Sequence, residues 1–337
     1  MKLVTFVDAS GLDCLGVLHP EDEQRVIDLR QEAAIAPSSL RNAALRPGAL
    51  DSLQQFIEAG DAALALAREI VASTSPDAAQ LMSASGLKLR APIPLPVQFR
   101  DCLLFEEHLV NSFAALRRTL ADQAPDPVAA LQEFEARGLY RVPHVWYEMP
   151  VYYKVNRFSF IGPGDQIIWP AYSERLDYEL EYACVLSRKL KDATLEEAES
   201  AIFGYTIFND VSARDIQSRE MQAQLGPAKG KDFDTGNIIG PCIVTKDAFD
   251  PRNARMSARI NGQLVCEGNT GTARWSFPQV IVHASRSETL MPGEFFGSGT
   301  VGGGCALENG RFLAPGDVIE FEVEGIGILR NTVVRHH

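Results

Sequence analysis

The chain has 337 residues, 46% of them hydrophobic and 23% charged, with a formal net charge of −12. That length holds one large domain or two ordinary ones, and the acidic balance argues against nucleic acid or an anionic membrane as partner. No apolar run approaches the roughly 20 residues that span a bilayer, the opening MKLVTFVDAS lacks the apolar core of a secretory leader, and the six cysteines are scattered without a CxxC pair, so reduced thiols and a cytoplasmic location are expected.

Read in chain order, LVTFV, LGVL and VIDL within the first 30 residues predict short strands. Leu50 to Ile70 has helical spacing of apolar residues and many good helix formers. The prolines of APIPLPVQF, Ala91 to Phe99, force an extended connector. The boundary between a small α/β unit (1–95) and a larger unit (96–337) is expected there. Leu103 to Leu120 reads as a helix, and DPVAALQEFEARGL as a second one ending near Gly138. From Pro150 onward strands and turns dominate. Asn261-Gly262 between two alternating runs is the strongest hairpin signal. TLEEAES opens a helix with a capping box from Thr194 to Glu197, and SFPQVIVHAS is another short helix. The chain is therefore expected to be α+β, with most of its β structure in the larger unit.

The stretch LDYELEYACVL, Leu176 to Leu186, alternates as a strand does, which puts Asp177, Glu179 and Glu181 on one face. Another acid, Asp210, follows a second apolar run in GYTIFNDVSARD. Such a face is either solvated or neutralised. Carboxylates gathered in a partly buried site repel unless a cation sits among them. Oxygen ligands without a nearby His or Cys point to Mg²⁺, Mn²⁺ or Ca²⁺ rather than zinc. The spacing alone leaves both readings open. With a net charge of −12, an anionic substrate would need either local positive charge or such an ion.

The motifs FRDCLLFEEHL, LDYELEYACVL, NDVSARDIQ, LGPAKGKDFDT and SGTVGG follow one another in this chain as they do in the fumarylacetoacetate hydrolase family. The chain resembles that family well from Phe99 to about Glu320 and more weakly over its first 90 residues. The resemblance implies a mixed β-roll catalytic domain behind a small N-terminal domain. It also implies a divalent cation (Mg²⁺, or Ca²⁺ or Mn²⁺), a homodimer, and chemistry on small anionic β-diketo or 2-oxo acids.

Carried over by motif, Glu179 and Glu181 of E-x-E, Asp210 and Asp101 are the expected metal ligands. Asp101 is a feature of the hydrolase branch, and Asp177 is expected to be an outer or surface residue. His108 matches the family's general base and Glu308 of GCALE its orienting acceptor, while Lys231 matches the lysine that holds an oxyanion or leaving group. An imidazole near neutrality suits proton removal from water. Arg214 and Gln217, three apart, Tyr153 (with Tyr152 one register away) and Thr300 are expected to touch substrate, while Arg117 is as readily plain surface. Leu103 and Met221 stand where fumarylacetoacetate hydrolases carry tyrosines, which implies a more apolar distal pocket. The leading expectation is a metal-dependent hydrolase that cleaves a C–C bond in a fumarylacetoacetate- or acylpyruvate-like acid. A decarboxylase, isomerase or hydratase of 2-oxo acids is the alternative, and a non-catalytic binding member is the reading from another class.

Overall fold

A 12-stranded mixed sheet runs through the computed structural model, which describes residues 1–35 and 45–336. A second sheet of five strands packs against it, and the arrangement is α+β with no closed barrel. Among the described residues no helix is long and apolar enough to cross a membrane, and all six cysteines are free and buried.

The expected N-terminal strands form as Lys2–Val7, Asp13–His19 and Asp22–Asp28. They do not close a sheet of their own. Lys2 and Leu3 pair with Val244 and Ile243 of Asn237–Thr245, so the segments on either side of the proline connector share one continuous sheet. The helical stretch expected over Leu50 to Ile70 is two helices, Leu53–Ala59 and Asp61–Ser73. Gly60, at φ +68°, turns the chain between them, a conformation that costs other residues more. Ser52 caps the first helix by accepting the amide of Gln55.

Other local signals hold. Helices form at Glu106–Ala121 and at Pro127–Ala136, the latter capped by Asp126. The hairpin pairs Ile260 with Gln263 around Asn261-Gly262. The capping box closes at Thr194 and Glu197 of Leu195–Ser200, and Ser276 caps Phe277–Ser285. The stretch Leu176 to Leu186 is not one strand, however. Leu176–Asp177 pairs with Ser212–Ala213, whereas Leu180–Leu186 pairs with Ile202–Asp210. Between them the Tyr178 amide turns back onto Asp177 Oδ1, 2.8 Å away.

Six strands of the main sheet position the site. In spatial order they are Asn237–Thr245, Ile202–Asp210, Leu180–Leu186, Phe295–Gly297, Phe99–Cys102 and Tyr152–Lys154. The strand Phe99–Cys102, which follows directly on the extended connector, lies parallel to Phe295–Gly297. Phe99 seats it: the ring is fully buried and packs on Phe160, Phe208 and Phe295 with centroids 4.5–5.5 Å away. Arg100 beside it is buried too, paired with Glu288 at 2.5 Å and with Glu294. Truncating Phe99 removes the ring on which three aromatics pack. Phe99→Ala should therefore lower unfolding free energy by about 3–5 kcal/mol in chemical denaturation, through lost transfer energy and the cavity left behind.

Candidate active site

Asp210 ends Ile202–Asp210, Glu181 lies on the neighbouring Leu180–Leu186, and Asp101 lies on Phe99–Cys102, beyond the short strand Phe295–Gly297. A carboxylate oxygen from each of these acids falls within 4.8 Å of the others, and all three residues are buried. Asp101 reaches past the intervening strand because its partner in the ladder is Gly297. A Cβ on Gly297 would stand 2.5 Å from Asp101 Oδ1. The Gly299 amide donates to that same oxygen at 3.2 Å.

These acids are short of positive charge. Burial pushes the Asp101 carboxyl up to about 6 against the pull of the Glu181 hydrogen bond and the Lys231 charge. Burial, then repulsion from Asp101 and Asp210, drives Glu181 well above the usual carboxylate range. Asp210 is driven up by burial as well, with Lys231 opposing and Asp101 and Glu179 adding repulsion. Glu181 Oε2 and Asp210 Oδ1 are buried without a hydrogen-bond partner. Orphaned carboxylate oxygens converging among buried residues fit a hard divalent cation, and the donor set, all oxygen, is the one such ions prefer. Asp101, Glu181 and Asp210 are the residues placed to hold it.

Glu179, expected as a further ligand, is engaged elsewhere. Its Oε1 accepts Arg214 Nη2 at 2.6 Å and its Oε2 pairs with Lys231. Burial would raise its pKa, but Arg214, Lys231 and His108 together hold it below the usual range. Lys231 bridges Glu179 and Asp210, so the lysine expected from its motif does stand at the cluster. Burial works against its charge, and Asp210 and Glu179 more than offset that.

The guanidinium expected on a substrate carboxylate makes three hydrogen bonds inside the protein. Arg214 Nε donates to Asp177 at 2.7 Å, Nη2 to Glu179, and Nη1 to Gln217 Oε1 at 2.8 Å. Gln217 serves there as an acceptor. Asp177 is no surface residue: it is fully buried, and it also accepts the amides of Ala306 and Leu307 at 2.7 and 3.1 Å. Tyr153 sits opposite Asp101 in the ladder and its hydroxyl donates to Asp210 Oδ2 at 2.8 Å. Thr300 is buried with Oγ1 3.5 Å from Glu181 Oε1. Leu103 is half-buried, Met221 is exposed, and Arg117 donates to the Tyr140 carbonyl on the surface.

His108 and Glu308, 200 residues apart, meet with Nδ1 2.7 Å from Oε1. The Gly303 amide and two side chains not singled out from the sequence, Asn111 and Cys305, complete this pair. Asn111 Nδ2 and the Gly303 amide donate to Glu308 Oε2 at 2.9 and 2.8 Å. Cys305 places its thiol 3.4 Å from Oε1. Asn111 stands three residues after His108 on one helix, a spacing that puts both on one face and was the available signal.

The description Fumarylacetoacetate (FAA) hydrolase C-terminal covers the family profile that matches residues 127–334, more than half the chain. The oxaloacetate tautomerase fahd2, mitochondrial, of Xenopus laevis is 30% identical over 336 residues, 99% of this chain and 90% of the relative. Oxaloacetate tautomerase Fahd2a, mitochondrial, of Rattus norvegicus is 31% identical over 290 residues, 86% of this chain and 81% of its own. Among solved structures, the fumarylacetoacetate hydrolase from psychrophilic Exiguobacterium antarcticum superposes with a TM-score of 0.71 at 26% identity, covering 100% of both chains.

Arg214→Met should destabilise the protein by about 3–5 kcal/mol, since it leaves Asp177 buried without its cation and Glu179 with Lys231 alone. Equilibrium unfolding at neutral pH reads this out. Divalent-cation affinity, followed by calorimetry, should fall as pH is lowered and begin to do so above the range of ordinary carboxyls, because Asp101, Glu181 and Asp210 all hold protons more tightly than usual.

Proposed function

The chain belongs to the fumarylacetoacetate hydrolase family, and we propose that it interconverts the enol and keto forms of a small 2-oxo dicarboxylic acid of the oxaloacetate type. The observation that carries this reading is the His108–Glu308 pair beside the buried carboxylate cluster. With Nδ1–H donated to Glu308, the lone pair of His108 lies on Nε2, where it can take a proton from an enol hydroxyl or from the carbon next to a 2-oxo group. Glu308 stabilises the imidazolium that follows, and Asn111 and Gly303 keep Glu308 from turning away. A divalent cation held by Asp101, Glu181 and Asp210 would supply a Lewis acid and a counter-charge for the substrate's oxygens. Lys231 brings a fixed positive charge to the same place. The substrate class is taken from the relatives that align over most of their own length.

Hydrolysis of a C–C bond in an acylpyruvate-like acid is the second reading. It is favoured by the same pair, because a base braced on a carboxylate suits removal of a proton from water. Asp101 and the similarity to a fumarylacetoacetate hydrolase at 26% identity support it further. Tautomerisation needs only the proton transfer; hydrolysis needs a positioned water and a carbanion leaving group as well.

Ultraviolet absorbance of enol-oxaloacetate separates the two. With Mg²⁺ or Mn²⁺ the protein should speed the approach to the keto–enol equilibrium without consuming oxaloacetate, and EDTA should abolish the effect. His108→Ala should slow it by about 10²–10⁴-fold, the usual contribution of a positioned acid–base group. Cleavage of acetylpyruvate with no effect on oxaloacetate would instead establish the hydrolase.

A further inference from the structure

Cys305 has no part in the proton transfer, yet its position beside the base is closely defined. Its thiol is buried and lies 3.4 Å from the same Glu308 oxygen that holds His108 Nδ1 at 2.7 Å. One ligand atom each from His108, Cys305 and Glu308 falls within 4.8 Å of the other two. Glu308 Oε2 is fixed from behind by Asn111 and Gly303, which directs Oε1 between the imidazole and the thiol. That is the outer support which metal-binding carboxylates characteristically have. Nitrogen, sulfur and oxygen together form a different donor set from the carboxylates of Asp101, Glu181 and Asp210. Thiolate and imidazole suit Zn²⁺, whereas Mg²⁺ favours oxygen alone.

We propose that His108, Cys305 and Glu308 form a second metal site, selective for zinc-like ions over Mg²⁺, whose occupation switches the catalytic pair off. Zinc binds histidine nitrogen at about 2.0–2.1 Å, thiolate at about 2.3 Å and carboxylate oxygen at about 2.0–2.2 Å, which in tetrahedral geometry sets these atoms roughly 3.3–3.7 Å apart. The present separations of 2.7 and 3.4 Å need to widen only modestly, and the fourth position is left to water or substrate. The proton balance follows from the ligands. The thiol proton leaves to solvent, and the imidazole proton moves from Nδ1 to Nε2 as Nδ1 takes the ion. Nε2 then carries N–H in place of a lone pair and no longer accepts a proton. Burial holds the Cys305 thiol well above its ordinary pKa, so an ion that bonds thiolate directly is needed to ionise it, which sets zinc apart from Mg²⁺. The inhibitory consequence rests on His108 being the base; metal binding at the three residues does not.

Cobalt(II) is the spectroscopic probe. Titrated into the whole protein at saturating Mg²⁺, it should produce a near-ultraviolet thiolate-to-cobalt charge-transfer band, and the band should be absent in Cys305→Ser. No band in the unaltered protein, or an undiminished one in Cys305→Ser, overturns the site. Asn111→Ala keeps the thiol and removes the rear support. It should retain the band while weakening cobalt binding by about 10–100-fold, and unchanged affinity counts against the geometry. Zinc should also inhibit enol–keto turnover at saturating Mg²⁺, reversibly with a zinc-selective chelator, and should do so far more weakly in Cys305→Ser. Inhibition that instead competes with Mg²⁺ and survives in Cys305→Ser assigns zinc to the carboxylate cluster and overturns the switch. Because the cobalt band is read without turnover, failure of the tautomerase reading leaves the test of the site intact.

Discussion

Negative charge brought into the interior of a sheet is the constraint around which the rest of this molecule is arranged. Asp101, Asp177, Glu179, Glu181 and Asp210 are all buried within one neighbourhood, and among the described residues the buried cations that pair with any of them are Arg214 and Lys231. Arg214 and Lys231 do not divide themselves evenly. Between them they give Glu179 two cationic partners and hold it ionised, while Asp101, Glu181 and Asp210 share a single lysine that contacts only Asp210. An interior handles such an excess by protonating the acids or by admitting an ion. The upward shifts of all three acids are the first response, and their unpartnered oxygens are the place for the second.

The sheet makes that concentration of charge possible. The acids come from separate strands, so each backbone is fixed by its own ladder before the carboxylates meet. Glycine between two of them removes the side chain that would otherwise keep Asp101 away. Tyr153, cross-strand from Asp101, then reaches over to Asp210. Apolar support stands beside the acids on the same face: Phe99, Phe208 and Phe295, each two residues before Asp101, Asp210 or Gly297 on its strand, pack their rings together. The N-terminal strands lengthen the same sheet at its other end.

Features that depend on neighbouring residues were legible in the sequence. The hairpin at Asn261-Gly262, the capping box at Thr194 and the extended proline connector each rest on interactions across a few residues. The site was legible largely by motif, and His108 with Glu308 came together as expected across 200 residues. What could not be read was the partnering of charges. Alternation placed Asp177, Glu179 and Glu181 on one face as if equivalent. The chain instead breaks its strand at Tyr178 and Glu179, and that break gives each acid a different neighbour. Nothing local to SARDIQ shows that Arg214 would pair with Asp177 and Glu179, more than 30 residues earlier. The joining of the N-terminal strands to Asn237–Thr245 was hidden for the same reason, since pairing across some 240 residues leaves no local trace.

Asp177, expected to be an outer or surface residue, joins the two groups of side chains. One of its oxygens accepts the Ala306 amide and the other the Leu307 amide along with Arg214 Nε. Those amides begin the short helix Ala306–Asn309, which carries Glu308. Arg214, held by Asp177 on one side, grips Glu179 on the other, and Glu179 in turn holds Lys231 against Asp210. A path of charge-assisted hydrogen bonds thus runs from the helix that carries Glu308, through Asp177, Arg214, Glu179 and Lys231, to Asp210. Such bonds are the strong ones, and in a dry interior each is costly to leave unmade. Shifting the Glu308 helix would strip Asp177 of its amides, and shifting the carboxylate strands would strip Arg214 of its acceptors. Asp177, outside both the His108–Glu308 pair and the Asp101–Glu181–Asp210 cluster, thus ties the one to the other.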